Sequence, residues 1–208
     1  MKIVVMTYNR PEKLNKLIKE LDGYDYHVID DGSDEKPDIT ESRLSVLEHS
    51  GKVGFWKTFN FVIKLLINSK HDDFLILPDD VYDIDFDRIS FYQNKFKNKK
   101  YFINMINDGR EYSWVKPNFT VDKIDGLIHT GFFDCAGLTN RKTLEDFLLS
   151  PITNRNKNLS SGVGAQITKR MNEKKVPMFT PIKSLMFHGD HESKMNPLER
   201  KKNKLISK

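Results

Sequence analysis

The chain has 208 residues, of which 38% are hydrophobic and 30% are charged, and its formal net charge is +5. These values are typical of a globular protein with one well-buried core and exclude an intrinsically disordered chain. No apolar stretch approaches the roughly 20 residues of a membrane-spanning helix, and too few apolar residues follow Lys2 for a signal peptide. The single cysteine, Cys135, cannot form an internal disulfide, so we expect a cytoplasmic protein without a membrane span.

In the first half, apolar segments predict four strands, at 3–6, 24–29, 44–47 and 74–77. Pro11 stands at a tolerated first-turn position of a helix, and apolar residues at helical spacing predict a second helix before the fourth strand. In the less regular second half, we predict helices over 86–96, 141–149 and 163–171, and extended segments at 101–106, 127–136 and 184–187. The alternation predicts an α/β fold with a mostly parallel central sheet flanked by helices and a small antiparallel extension.

Polar clusters follow four of the predicted strands: Thr7-Tyr8-Asn9-Arg10, Asp30-Asp31-Gly32-Ser33, Asp79-Asp80 and His188-Gly189-Asp190-His191. Because parallel strands end at the same edge of a sheet, at least the first three clusters can converge there, where α/β sheets bind ligands. Turn-forming residues are common where strands stop, which explains any single cluster equally well. Adjacent carboxylates at such an edge are suited to holding a divalent cation against a phosphate group.

The sequence has no convincing glycine-rich nucleotide loop. No glycine follows the first strand, as a dinucleotide-binding turn requires, and Lys57-Thr58 follows Trp56 instead of the glycine of a phosphate loop. Gly162-Val163-Gly164 follows no predicted strand. A bound nucleotide is therefore expected to be held through a metal ion.

The order of these motifs resembles the GT-A fold of nucleotide-sugar-dependent glycosyltransferases. The resemblance rests on Thr7-Tyr8-Asn9-Arg10-Pro11, on Ile29-Asp30-Asp31-Gly32-Ser33 and on the aspartate pair after the fourth strand. It continues through Gly54, Asn60, Asp134-Cys135-Ala136-Gly137 and segment 184–190, and so covers nearly the whole chain. The chain also resembles a glycosyltransferase domain of a chlorella virus that modifies capsid glycoprotein, which implies the host cytoplasm as its location.

The resemblance implies one domain over 1–208, with a nucleotide-binding half over about 1–106 and an acceptor-side half over about 107–195. A basic tail, 196–208, follows, and the chain is compatible with the N-terminal part of a longer protein. The tail has no interleaved aromatic residues, so a solvated basic face explains it better than nucleic-acid binding, and we predict no nucleic-acid partner.

The resemblance also implies a bound Mn²⁺ or Mg²⁺, although Leu77 or Pro78 replaces the first acid of the usual Asp-x-Asp motif. Asp80 is the expected direct ligand, and Asp79 is expected on the ribose or on metal-bound water. His188 is the second metal candidate, and an imidazole ligand favours Mn²⁺. A histidine that only caps the last strand is the alternative.

Thr7 and Asp31 resemble family positions that contact the uridine, and Asn9 lies beside them in the first cluster. Arg10 and Lys57 are candidates for neutralising the diphosphate, or else solvated surface charges. An inverting mechanism needs a carboxylate base, yet segment 159–164, where many relatives carry an acidic pair, has no acid. Asp134 and Asp190 are the remaining candidates for this catalytic base. Inversion and retention of the anomeric configuration of the sugar both stay open.

We therefore predict a metal-dependent glycosyltransferase. It would transfer a hexose from a UDP-sugar, similar to UDP-glucose or UDP-rhamnose, to a hydroxyl group of a glycan or glycoprotein. Two other classes stay open. One is a sugar-phosphate nucleotidyltransferase, which usually needs a glycine-rich loop after the first strand. The other is a non-catalytic module that binds carbohydrate or nucleic acid through the basic tail.

Overall fold

The computed structural model describes residues 1–47, 55–107, 119–133, 137–148, 150–153 and 162–189. Its strands are β1 (Lys2–Thr7), β2 (Tyr26–Asp30), β3 (Leu44–Val46), β4 (Asp73–Pro78), β5 (Val81–Tyr82), β6 (Phe102–Asn104), β7 (Leu127–Thr130), β8 (Gly137–Asn140), β9 (Met178–Pro181) and β10 (Phe187–His188). Its helices are α1 (Pro11–Glu20), α2 (Phe55–Asn68), α3 (Phe86–Lys95), α4 (Arg141–Leu144) and α5 (Val163–Glu173).

Eight strands form one sheet in the order β3-β2-β1-β4-β8-β6-β9-β7. The first four of these are parallel to one another. Strand β8 lies antiparallel between β4 and β6, β9 is parallel to β6, and β7 is antiparallel to β9. Strands β5 and β10 form a separate antiparallel pair. The predicted α/β fold, with a mostly parallel sheet and a small antiparallel extension, is confirmed.

Strand β1 is buried on both faces, which explains its continuously apolar sequence. Side chains alternate across a strand, so Ile3 and Val5 belong to one apolar core, and Val4 and Met6 belong to the other. Helix α1 covers the first core and α2 covers the second. The carboxyl ends of β1, β2 and β4 are thereby held side by side at one edge of the sheet. Within the described ranges, no helix has both the length and the apolar character to cross a membrane.

Several predicted elements of the second half differ from the structure. The predicted strand at 184–187 is wrong, because β10 contains only Phe187–His188 and β9 precedes it at Met178–Pro181. The predicted helix over 141–149 is an α-helix only as far as Leu144, and a 3₁₀ turn follows at Glu145–Phe147. The extended segment predicted at 127–136 contains β7, which ends at Thr130.

Strand β8 was not predicted, because Gly137 and three further residues carry little apolar pattern. Gly137 is required by packing, since a Cβ atom at this position would collide with the carbonyl oxygen of Ile103 on β6. Glycine therefore allows the two strands to pair closely. The resemblance noted at Gly137 thus falls on a residue with a clear packing role.

Candidate active site at the carboxyl edge of the sheet

The two adjacent aspartates lie directly beyond the end of β4. Pro78 ends the strand, and Asp79 and Asp80 form a tight turn that leads into β5. Their side chains are only 4% and 2% exposed. Two carboxylates this deeply buried require compensating charge or hydrogen bonds.

Arg10 supplies that compensation. It precedes α1 at the N-cap position, and its Nη1 atom lies 3.1 Å from Asp79 Oδ1 and 2.6 Å from Asp80 Oδ2. The hydroxyl of Thr7, the last residue of β1, donates to Asp79 Oδ2 over 2.8 Å. Both oxygens of Asp79 are therefore engaged by neighbouring side chains.

The other oxygen of Asp80 has a different environment. Its Oδ1 atom is buried and accepts no hydrogen bond of good geometry among the described residues, although His188 Nε2 lies 3.1 Å away. His188 is held there because β10 pairs with β5 and because the Gly189 N–H donates to the carbonyl oxygen of Asp80 over 2.9 Å. The predicted approach of His188 to the aspartate pair is thus present.

Burial and neighbouring charges affect the two aspartates in opposite directions. Burial raises the pKa of Asp79, and the hydrogen bond from Thr7 and the charge of Arg10 offset this only in part. Burial also acts to raise the pKa of Asp80, but His188 and Arg10 outweigh it and hold that pKa below its usual range. The charges around Asp80 therefore favour its ionised form, which is the form that a metal ligand needs.

These contacts permit a test of whether a divalent cation fits the site. Among residues that the structure describes, no group of three His, Cys, Asp or Glu side chains is arranged to hold a metal. Asp80 and His188 do form a pair, and their 3.1 Å separation is close to that of two adjacent ligands about 2.1 Å from one octahedral ion. Two protein ligands supplemented by substrate phosphates fit such an ion, whereas Asp79 is already engaged by Thr7 and Arg10.

Asp31 lies at the end of the neighbouring strand β2. It is 9% exposed, its backbone N–H donates to the carbonyl oxygen of Thr7, and its Oδ1 atom accepts a 2.6 Å hydrogen bond from the hydroxyl of Thr58. Sequence reasoning did not identify Thr58, which is fully buried in the second turn of α2. Its only signal is a hydroxyl among the apolar residues of that helix.

Asn9 holds the loops at this edge together. It has a positive φ of 52°, its backbone N–H donates to Ser33 Oγ, and its side-chain amide exchanges two hydrogen bonds with Asp34. The turn after β2 is fixed in turn by Asp30, which accepts hydrogen bonds from Ser33. Asn9 therefore shapes this edge of the sheet, and its side-chain amide is hydrogen-bonded to Asp34.

The remaining candidates lie elsewhere or outside the described residues. Lys57 is exposed at the start of α2, with Nζ 5.5 Å from the centre of the Trp56 ring. Asn60 forms reciprocal hydrogen bonds with the backbone of Ile152 and so fastens a loop to α2. The two proposed catalytic residues, Asp134 and Asp190, and Gly54 lie outside the described residues.

Comparison with known proteins gives information about the fold. No protein-family model matches the chain, and no curated protein matches its sequence. Residues 1–349 of TarS from S. aureus share 16% identity with a TM-score of 0.61, over 90% of this chain and 59% of that one. A197 from STIV shares 14% identity with a TM-score of 0.52, over 91% of this chain and 85% of that one.

A third similar structure is CMP:2-keto-3-deoxy-manno-octonic acid synthetase complexed with CTP. It shares 10% identity with a TM-score of 0.50, and the match covers 99% of this chain and 97% of that one. At such identities the similarity shows the fold alone. The chain therefore has a GT-A-like α/β fold.

Proposed function

We propose that the protein is a metal-dependent glycosyltransferase that transfers a hexose from a UDP-sugar to a hydroxyl group of a glycan or glycoprotein. The observation that carries the proposal is the buried Oδ1 atom of Asp80, which lies 3.1 Å from His188 Nε2 and accepts no well-formed hydrogen bond in the described part of the chain. It lies beyond the end of β4, at the edge where a sheet of this kind binds nucleotides.

Each residue of the site has a distinct role in this proposal. Asp80 and His188 would hold Mn²⁺ or Mg²⁺, and the imidazole favours Mn²⁺. When bound, such an ion acts as a Lewis acid that stabilises the departing nucleoside diphosphate. Asp79 keeps Arg10 in place beside Asp80, and the guanidinium adds a fixed positive charge near the diphosphate position.

The nucleoside would bind over the neighbouring strand ends. In this proposal Asp31, held by Thr58, would accept a hydrogen bond from the uracil ring N–H, and Thr7 lies between Asp31 and Asp79. Lys57 stays a candidate for the outer phosphate, and Asp134 and Asp190 stay candidates for the base that deprotonates the acceptor. A viral capsid glycoprotein is the acceptor suggested by the sequence resemblance.

Thermal unfolding with and without ligands tests this function, because a ligand of the native state raises its stability by mass action. UDP-glucose should raise the Tm in MnCl₂ and much less in EDTA. Asp80→Asn and His188→Ala should remove the Mn²⁺-dependent part, whereas Asp22→Asn, at an exposed position, should retain it. Equal stabilisation in EDTA would contradict the metal assignment. No stabilisation by any nucleotide sugar would contradict the function.

A sugar-phosphate nucleotidyltransferase is the second candidate, favoured by the match to a CTP-bound synthetase over nearly the whole of both chains. The two activities differ in their products. Release of pyrophosphate from a nucleoside triphosphate and a sugar phosphate would support this second candidate. Release of UDP from a UDP-sugar would support the first.

A further inference from the structure

Two exposed aromatic rings lie on the same two-stranded ribbon as the candidate metal ligand His188, but on the opposite face of that ribbon. Tyr82 and Phe187 are directly paired across the ribbon formed by β5 and β10, and their side chains are on the same face. The ring centres are 5.9 Å apart and the ring planes differ by 25°. Tyr82 is 43% exposed and Phe187 is 50% exposed. We call these two rings the aromatic pair.

The ribbon that carries the aromatic pair is firmly attached to the protein. At one end the Gly189 N–H donates to the carbonyl oxygen of Asp80, and at the other the Asp85 N–H donates to the carbonyl oxygen of Leu185. Val81 and Met186, next to the two rings in the chain, are buried at 3% and 0% exposure. The exposed rings are therefore presented on a rigid support, which lowers the entropy cost of binding a ligand there.

The chemistry around the aromatic pair identifies the kind of ligand. Exposed aromatic rings on a rigid surface are typical of binding sites. The exposed charges close by in the chain are mixed, with Asp83 and Asp87 beside Arg88, so this surface favours a neutral ligand over a polyanion such as nucleic acid. A neutral polyhydroxy ring suits this surface, because its C–H face carries partial positive charge toward the aromatic faces while carboxylates accept hydrogen bonds from its hydroxyl groups.

We infer that the aromatic pair binds a sugar ring of an extended saccharide acceptor. This inference rests on the proposed function, since Tyr82 and Phe187 each lie within two residues of a candidate metal ligand, Asp80 or His188. The rings are on the solvent side of the ribbon, opposite the buried Val81, so the bound sugar is not the reacting one. We therefore expect a saccharide of several units, which could extend over the ribbon toward the carboxylates, to bind more tightly than a monosaccharide.

The test compares the wild type, a Tyr82→Ser/Phe187→Ser double variant and a Phe91→Ser control. Phe91 lies on α3 and is 44% exposed, so its replacement removes a similar aromatic ring from another surface. Saturation-transfer NMR and titration would measure binding of cellotetraose, maltotetraose and methyl β-glucopyranoside, with UDP and Mn²⁺ present. Binding of UDP and Mn²⁺ is measured separately for every variant.

We expect a tetrasaccharide to bind the wild type more tightly than the monosaccharide, and the double variant to lose about tenfold of that affinity. The control should retain it, and UDP binding should not change in either variant. The inference is overturned if neither tetrasaccharide receives saturation, or if the control loses as much affinity as the double variant. It is also overturned if the double variant converts an oligomer to a monomer, because a second copy of the chain then covers the rings.

The two proposals fail in distinguishable ways. If UDP and Mn²⁺ bind but the double variant has normal tetrasaccharide affinity, only the acceptor surface is wrong. If UDP does not bind while the aromatic pair still binds the saccharide, the proposed transferase is wrong and a carbohydrate-binding role remains.

Discussion

Ion pairs lie at both ends of strand β1, and they differ mainly in burial. At the amino end, Lys2 and His71 both contact the carboxylate of Asp25, which is 45% exposed. At the carboxyl end, Arg10 contacts Asp79 and Asp80, which are 4% and 2% exposed. Because water screens the first cluster and not the second, similar distances have very different energetic consequences. Electrostatic interactions should therefore be stronger in the buried cluster around Arg10 than in the exposed cluster around Asp25.

Replacement of Arg10 by Met should give the largest effect. It leaves two buried carboxylates without their guanidinium partner, so the free energy of unfolding should fall by about 3–5 kcal/mol. Urea unfolding at pH 7 measures this change. Adding Asp79→Asn to the Arg10→Met variant should restore part of the stability. A loss below about 1 kcal/mol would mean that the carboxyl-end pairs are no stronger than surface pairs.

Replacement of Thr58 by Val should have an intermediate effect. It removes the 2.6 Å hydrogen bond to Asp31 while keeping the shape of the side chain, and should cost about 1–3 kcal/mol. Thr40 is exposed, so Thr40→Val is the matched control and should change little. The folded Thr58→Val variant should also bind UDP with lower affinity, because Asp31 loses the hydrogen bond that fixes its position. Equal stability of Thr58→Val and Thr40→Val would mean that the hydrogen bond from Thr58 to Asp31 does not stabilise the fold.

Asp79 at the carboxyl end of β1 and Asp25 at its amino end should change the stability in opposite directions as the pH rises. Burial raises the pKa of Asp79, so its stabilising contribution is present at low pH and is lost as the pH rises from about 3.9 through the raised value. For Asp25, partial burial is outweighed by Lys2 and His71, which lower the pKa, so its contribution is lost as the pH falls below the ordinary value.

Asp79→Asn and Asp25→Asn, compared with the wild type by urea unfolding between pH 3 and pH 7, check these signs. The stability advantage of the wild type over Asp79→Asn should shrink as the pH rises, because burial disfavours the ionised form of Asp79. Its advantage over Asp25→Asn should grow by a smaller amount, since Asp25 is exposed. Changes of the same sign in both variants would contradict the assignment.

Replacement of Lys2 by Met should have the smallest effect, about 0–1 kcal/mol, because the pair with Asp25 is screened by solvent. The effect should decrease further in 1 M salt. Urea unfolding at low and high salt measures it. A large fall in the free energy of unfolding that does not depend on salt would contradict the description of Lys2 and Asp25 as a solvent-screened ion pair.

The sequence was sufficient to predict that Thr7, Arg10, Asp31 and Asp80 share one edge of the sheet. That prediction needs only the alternation of strands and helices and the rule that parallel strands end together. The pairing of Arg10 with both aspartates was not predicted, because it joins residues about 70 positions apart through one side-chain conformation. For the same reason the hydroxyl of Thr58 could not be assigned to Asp31.

The second half of the fold was less predictable for a different reason. Strands β8 and β9 are short, and their pairing is set by close approach at Gly137 and by neighbouring strands distant in sequence. Asn9 shows the same limit at the level of a side chain. Its position among strand-end residues predicts ligand contact, whereas the hydrogen bonds of its amide with Asp34 were not predicted. Local pattern identifies where polar residues gather, while their partners depend on tertiary structure.

Arg10 has a consequence for how the protein would bind the proposed metal ion. The Arg10 guanidinium already pairs with both inner carboxylates and offsets one of their two negative charges, so we expect the chain to reach its native state before any divalent cation binds. Cysteine-ligated metal domains, in contrast, fold only when the metal is supplied. If the proposed metal dependence holds, metal starvation of the cell should therefore abolish the activity without lowering the amount of folded protein, and restoring the metal should recover activity without new synthesis.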